Sequence, residues 1–496
     1  MRRNGRSDHY DAVIVGGGVG ALTAAAYLAR GGGRVLLLES GERFCGNAKT
    51  VEFAPGYRAP LFSHMVCGLD GRVLRELGLA KAGLEFAQQD VKLIALRPGG
   101  KHIVLSQHRG VSASETGDES HAYRAFQKEA ARMAGLLAPL WDGTLESSAA
   151  AAALVQRLHL NPRDAERVNA LVRLSAAAYL DLRFGNDALK AALAFDVFPS
   201  GMSPQEAGSA LALIWRQGHG GVSQIRGGPA ALAIALETAA RDAGAELRGS
   251  SPVASIVVEK RRAIGVTLEN GEMISAKAVL TSLNARSALL GLVLPEALGF
   301  GTAANVPAPP RLATAQLMLA LNGPPPFAGL KQGDLGARFL IAERPEIAAE
   351  AKGAALTGVI PDEFVIEAAV PTAADPALAP PGCHVLSALL PYMPASPCGG
   401  WETECEGLRK RAMAMLEWFA PGLKDRVVAH RLSIRGAANS SPPLSRLIAP
   451  YDFRLRTPIA GLFLCGRGTE PLDALCGRAG RLAAALAVTH SASGAP

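Results

Sequence analysis

The sequence predicts an α/β protein: a dinucleotide-binding domain interrupted by an inserted α+β substrate domain. Three observations predict it. Residues 11–39 compress an apolar strand, a glycine turn, a helix and a second strand ending on an acid into one βαβ length. Residues 461–487 read as a late strand, a glycine-containing loop and a helix, which would join the first unit in one sheet. Between them, helical and strand patterns extend without an internal repeat, and 496 residues suffice for two or three domains.

The first unit can be justified residue by residue. Ala12 to Val15 are apolar on both faces, as in a buried parallel strand. Gly16 allows the tight turn out of that strand. Gly18 has no side chain, so a pyrophosphate can approach the backbone where the next helix starts. Gly20 lies in the same turn, and Ala21 takes the third glycine position, where the helix packs close to the strand. The helix is expected over Val19 to Arg30 and ends at Gly31-Gly32-Gly33. Val35 to Leu38 form the second strand. Glu39 closes it, 21 residues after Gly18, where a carboxylate would bind ribose hydroxyls. A lone G-x-G-x-x-G is a weak signal. Here the strand, turn, helix, strand and acid all fall in place, making the unit Rossmann-like.

Composition bounds the rest. The chain is 49% hydrophobic and 19% charged, in the globular range. A net charge of +7 is spread without a dense basic block, which argues against nucleic-acid binding. No apolar run of transmembrane length appears, and no apolar segment separates Arg2-Arg3 from the first strand, so neither a span nor a signal peptide is expected. The seven cysteines include no C-x-x-C pair, pointing to reduced thiols, no redox disulfide and a cytoplasmic protein. Metal-ligand spacing, a nucleophile elbow and a second dinucleotide fingerprint are absent, so no metal and no dedicated NAD(P) site are expected.

Two further segments point to a flavin. After Glu39, Arg43, Gly46 and Thr50 match the R-x-G-G and polar pattern of two-dinucleotide-binding-domain flavoproteins, with Cys45 replacing one glycine. An Arg and bare backbone there suit a pyrophosphate and flavin. Near the C-terminus, Gly466 and Gly477 flank the loop before the last helix. The N-terminus of that helix would stabilise negative charge on a reduced ring. The strand beginning at Val253 is placed in the same domain.

The chain resembles the phytoene desaturase and carotenoid isomerase superfamily, in its phytoene dehydrogenase-like branch. The likeness runs nearly end to end: Gly16 to Glu39, Pro55-Gly56-Tyr57, Ser63-His64, Leu193 to Asp196, Arg226 to Leu232, Ala243 to Arg248, Val370 to Gly382 and Thr457 to Gly480. The resemblance implies bound FAD, a Rossmann-like domain interrupted by a substrate domain, and desaturation, isomerisation or oxidation of an apolar substrate. The closing loop departs from the family's pattern. Glu470 stands where His is usual, and Leu472, Asp473 and Ala474 replace a glycine run. The Asn-Ile-Phe-His-Gly-like stretch before the closing strand is also missing.

The expected organisation is a discontinuous FAD-binding domain over 9–95, 221–300 and 431–489, a helical insert over 96–220 and a substrate domain over 301–430. Four residues carry two readings each. His64 would face the flavin edge and polarise or relay a proton, or is a hydrogen-bonded structural His. Arg226 would pair with a phosphate or the flavin edge, or is a surface Arg leading a helix. Glu470 and Asp473 would form an acid/base pair beside the ring, or sit in a solvated loop paired with Arg467 or Arg478.

The expected reaction moves a hydride from a C–H bond to flavin, with oxygen or a quinone as acceptor. A flavin amine oxidase is one rival, although residues 461–480 offer no aromatic pair for an amine cage. A flavoprotein that binds a protein partner without catalysis is another. Peripheral membrane contact is left open.

Overall fold

The computed structural model describes residues 9–106, 110–112, 119–141, 160–219, 221–306, 308, 311–436, 455–470 and 475–492. The expected first unit is present. Strand His9–Val15 leads through the glycine turn into helix Val19–Arg30, and Val35–Leu38 pairs in parallel with the first strand. Gly32 adopts φ +84° past the helix end, and Gly33 N–H returns to Leu28 O at 3.1 Å. That left-handed turn favours glycine and satisfies a carbonyl of the last helical turn.

The first sheet has seven strands. Glu246–Arg248, Val35–Leu38, His9–Val15 and Met273–Thr281 lie side by side in parallel. Met273–Thr281 then divides. Its start pairs antiparallel with Arg262–Leu268, which turns back onto Val253–Glu259, while its end pairs in parallel with Leu462–Leu464. The N-terminal and C-terminal signals thus meet in one sheet. Ala12 and Ile14 face a helical layer of Val19–Arg30, Pro229–Asp242 and Arg478–Ala492. Val13 and Val15 pack on the other side with Ile256, Val266 and Leu289.

The second sheet has eight strands: Val427–Gly436, Leu312–Leu321, His384–Pro394, Ile366–Ala369, Arg338–Ile341, Leu93–Ala95, Ile103–Ser106 and Gly110–Ser112. All pairs are antiparallel except Arg338–Ile341 with Leu93–Ala95. Leu312–Leu321 is buried along its whole length. Helix Trp401–Phe419 covers one face, burying Leu408, Ala412 and Leu416.

Two expected boundaries shift. Leu93–Ala95 and Val427–Gly436, assigned in part to the FAD-binding domain, are strands of the second sheet. Each pairs by backbone with a strand far away in sequence. The insert after residue 96 also opens with two strands before its helices begin. Residues 165–179 fall in two helices, Pro162–Arg173 and Ala176–Asp181. The break falls at Ser175, whose hydroxyl accepts Ala178 N–H at 3.1 Å and starts the second helix.

Candidate functional site

A cavity of about 380 Å³ opens at the C-terminal end of the first parallel strands, where α/β sheets place their ligands. Gly16, Gly18 and Gly20 line it, with Glu39, Gly46, Val253, Gly466, Glu470 and Gly477. Three glycines are required by close approach. A Cβ on Gly16, at φ +91°, would lie 2.4 Å from Ser282 Oγ. A Cβ on Gly46 would lie 2.8 Å from Gly18 Cα, and one on Gly20 would lie 1.8 Å from Cys465 O. The close packing expected at Ala21 is therefore made one residue earlier, at Gly20. Ala21 itself is fully buried and lies off the cavity wall.

Glu39 sits at the strand end as expected. One carboxylate oxygen accepts Gly17 N–H at 2.5 Å and the other accepts Gly41 N–H at 2.9 Å. The carboxylate thus holds the turn and faces the cavity together. Sequence reading missed Ser282, Ser251 and Asn47 on the same wall. Ser251 and Ser282 lie in loops with no motif and only the tertiary fold brings them there, whereas Asn47 directly follows Gly46 in the flavoprotein pattern.

Besides Ala21, three expected cofactor residues are placed elsewhere. Arg43 is exposed, and Thr50 lies in strand Thr50–Ala54; neither lines the cavity. Strand Thr50–Ala54 turns away to pair with Tyr57–Pro60, and Gly46, earlier in the loop, supplies the contact with the glycine turn. Arg226 is also exposed and pairs with Glu85 at 3.1 Å, the surface-Arg reading.

Glu470 is buried, and its carboxylate accepts Ala479 N–H at 2.5 Å, in the first turn of helix Arg478–Ala492. The acid that replaces the family's usual His therefore occupies an N–H of that helix start, where negative charge on a ligand was expected to be stabilised. Asp473, with Leu472 and Ala474, lies outside the described residues. Cys465 and Cys476 are buried, and burial pushes the Cys465 thiol up to about 12 and that of Cys476 well above its ordinary value. Both are packing residues rather than nucleophiles.

A second cavity adjoins the first, with Arg467 and Leu475 on both walls. Phe62, Phe198, Leu312, Leu389 and Tyr392 give it an apolar surface, and His64 lines it too. His64 is buried, and its Nε2 lies 2.7 Å from Ser387 Oγ. Burial pushes the imidazole down to about 4, with Glu367 opposing and Arg338 adding to the shift, so the ring is neutral at physiological pH. His64 thus reaches the cavity wall as a neutral imidazole hydrogen-bonded to Ser387.

Arg216, Arg338 and Glu367 line the same cavity as members of an ionic cluster. Arg338 meets Asp196 at 3.0 Å and Glu367 at 2.9 Å, Arg216 meets Asp196 at 3.7 Å, and Gln217 donates to Asp196 at 2.7 Å. Burial by itself disfavours the Arg338 cation, but Glu367 and Asp196 hold it more firmly protonated than a free guanidinium. Sequence gave a faint sign of this cluster: a charge inside each of the apolar runs Leu193 to Val197, Ala210 to Trp215 with Arg216, and Ala337 to Ile341.

This arrangement defines a class: a flavoprotein with a dinucleotide cavity on a Rossmann-like sheet and a second cavity over an antiparallel sheet. The residues present fit FAD. The first cavity is a backbone cradle that Cβ atoms at Gly16, Gly20 or Gly46 would fill, with a ribose-type acid in place. The family of flavin-containing amine oxidoreductases matches residues 22–471. The chain belongs to that family and is a FAD-dependent oxidoreductase.

Among its relatives, pyridine nucleotide-disulfide oxidoreductase domain-containing protein 2 of Mus musculus is 28% identical, over 97% of this chain and 94% of the relative. A neurosporene-forming phytoene desaturase of Cereibacter sphaeroides is 25% identical, over 94% and 92%. The crystal structure of an oxidoreductase from Methanosarcina mazei superposes with a TM-score of 0.59 at 16% identity, over 94% of this chain and 98% of that one, a likeness of fold. No helix among the described residues is long and apolar enough to cross a membrane.

Proposed function

We propose that the protein desaturates an uncharged, largely apolar substrate held in the second cavity: a hydride leaves one C–H bond for the bound flavin, a proton leaves the adjacent carbon for solvent, and the electron pair of that second C–H bond forms the double bond. One observation carries this reading over amine oxidation. Among the described residues lining that cavity, Glu367 is the one carboxylate, and Arg338 already takes it at 2.9 Å. An ammonium group would find no carboxylate to receive it and would sit beside Arg338 and Arg216. Desolvating a cation without a partner is strongly unfavourable. The relative named as a phytoene desaturase supports an apolar substrate.

The chain's own residues do the following. Gly16 to Gly20 and Gly466 would hold the pyrophosphate region of FAD by bare backbone, and Glu39 would hold its ribose. FAD, when bound, would supply a two-electron acceptor that oxygen or a quinone can reoxidise. Phe62, Phe198, Leu312 and Leu389 exclude water and orient an apolar substrate by shape. The ionic cluster of Arg338, Asp196, Glu367 and Arg216 forms a rigid floor beneath it.

The test is anaerobic mixing of the FAD-loaded protein with a panel of isoprenoid and fatty alkenes and a panel of primary amines. The reading expects the visible flavin band to bleach with members of the apolar panel. Bleaching by amines, with peroxide released when oxygen is readmitted, would overturn it.

A further inference from the structure

Asp70 ties together two parts of the chain that lie 411 residues apart. It precedes the short helix Gly71–Glu76, and one carboxylate oxygen caps that helix by accepting Arg72 N–H at 2.9 Å. The other oxygen accepts Arg481 Nε–H and Nη2–H, each at 2.8 Å, from the start of helix Arg478–Ala492. The Asp70 N–H reaches Cys476 O at 3.1 Å, and Arg481 N–H reaches Gly477 O at 3.2 Å. Both side chains are largely buried, so water screens the pair poorly. A cap needs an acceptor and not a charge, and Asn or Ser would serve. The charge at Asp70 is used on Arg481.

Cys476 and Gly477 lie between these anchors. Gly477 has no side chain, so it lines the first cavity with backbone. It is held at φ +77°, and a Cβ there would lie 3.1 Å from Thr23 Oγ1 and 3.2 Å from Val73 Cγ1. Thr23 belongs to the helix of the glycine cradle, and Val73 is the buried residue of the helix that Asp70 caps. A Cβ on Gly480, one turn on, would collide with Gly20 O. This stretch of cavity wall is thus seated against both helices, and Asp70 and Arg481 fasten it there.

We infer that the Asp70–Arg481 pair is a clasp that retains FAD: it fixes the Cys476–Gly477 backbone as a wall of the first cavity, and the cofactor leaves faster when the pair is broken. Neither residue is among those described as lining that cavity, so both are positioning residues. They act through Gly477. Hydrogen bonds to a charged, buried carboxylate are stronger than neutral ones, and a guanidinium or carboxylate left behind without its partner would draw water into the joint.

The test measures FAD release, with free FAD separated by gel filtration at intervals after dilution of the loaded protein. Asp70→Asn keeps an oxygen to cap Arg72 N–H but sets a neutral amide beside Arg481. Arg481→Met keeps the bulk and removes the charge. Each should release FAD about tenfold faster than the wild type. The double variant should be no faster than the faster single one, because both remove the same interaction. Arg481→Lys keeps the charge and should stay within about threefold of the wild type. Glu129→Gln breaks the partly buried pair with Arg183, 3.0 Å, in the helical insert; it controls for loss of an ion pair elsewhere and should release FAD at the wild-type rate. Wild-type release from Asp70→Asn or Arg481→Met overturns the inference, as do additive effects in the double variant or equally fast release from Glu129→Gln. No substrate is needed, so the result stands whether or not the proposed desaturation does.

Discussion

Gly20→Ala is the sharpest perturbation of the cofactor cradle. The added Cβ would lie 1.8 Å from Cys465 O, a backbone atom that cannot swing aside, and ordinary contact begins at 3.4 Å. The helix and the strand end must therefore separate by up to 3.4 − 1.8 = 1.6 Å. A shift of that size pulls on the bond from Cys465 N–H to Thr281 O, now 2.8 Å long, which ties the closing segment to the sheet. Overpacking costs about 1–3 kcal/mol, and a buried backbone pair left unmade costs about 1–3 kcal/mol more. The sum is about 2–6 kcal/mol. With about 1 kcal/mol per degree of unfolding entropy for a chain of 496 residues, the melting temperature should fall by about 2–6 °C. If the cradle must close again to bind, even 2 kcal/mol weakens FAD binding about 30-fold. The assay is the FAD-to-protein ratio after dialysis, followed by a reconstitution titration. Gly135→Ala is the control: it sits in helix Glu119–Leu136 with nothing within 4 Å of the added Cβ, and should be neutral or stabilising by about 1 kcal/mol. A Gly20→Ala protein that keeps one FAD per chain with affinity unchanged would refute the reasoning.

Three other outcomes are expected. His64 is held down at about 4 in the folded protein against 6.5 when unfolded, so it contributes no pH dependence above 6.5 and loses stability as pH falls from 6.5 to 4. That loss reaches about 3 kcal/mol at pH 4, so the drop in melting temperature between pH 7.5 and pH 4 should be smaller by about 3 °C in His64→Gln, and an equal drop would contradict it. Asp196→Ala removes the carboxylate shared by Arg338 and Arg216 and strands buried charge, so thermal melting should report a loss of about 3–5 kcal/mol. Glu470→Ala removes the acceptor of Ala479 N–H and should destabilise by about 1–2 kcal/mol, whereas Glu470→Gln, which keeps an oxygen there, should retain most of that stability; equal losses would show that the hydrogen bond is not what Glu470 supplies.

What was legible in the sequence was local. The turn from Gly16 to Gly20, the helix from Val19 to Arg30 and the strand ending on Glu39 are all set by neighbours within one βαβ unit. Chain order carries the motif directly, although the close approaches that require Gly16 and Gly20 come from Ser282 and Cys465, which the fold brings in from far along the chain. The end-to-end meeting of strands was legible too, since a strand-loop-helix at each terminus of such a domain completes one parallel sheet.

What the tertiary structure decided was long-range. Arg43, Thr50 and Arg226 fit a motif, but Thr50 is drawn off the cavity by pairing with Tyr57–Pro60, and Arg43 and Arg226 are exposed at the surface, Arg226 paired with Glu85. Gln316 and Ser387 are 71 residues apart and look like incidental polar residues in apolar strands. Only strand pairing brings them to His64, 323 residues from Ser387. Arg338 gains Glu367 when their strands pair, and it gains Asp196 only when the helical insert docks on the second sheet. Sequence determined that a dinucleotide is held, because that requirement is written into backbone shape. Which groups face the substrate was settled by packing, because a buried polar side chain is defined by the partners the fold delivers to it.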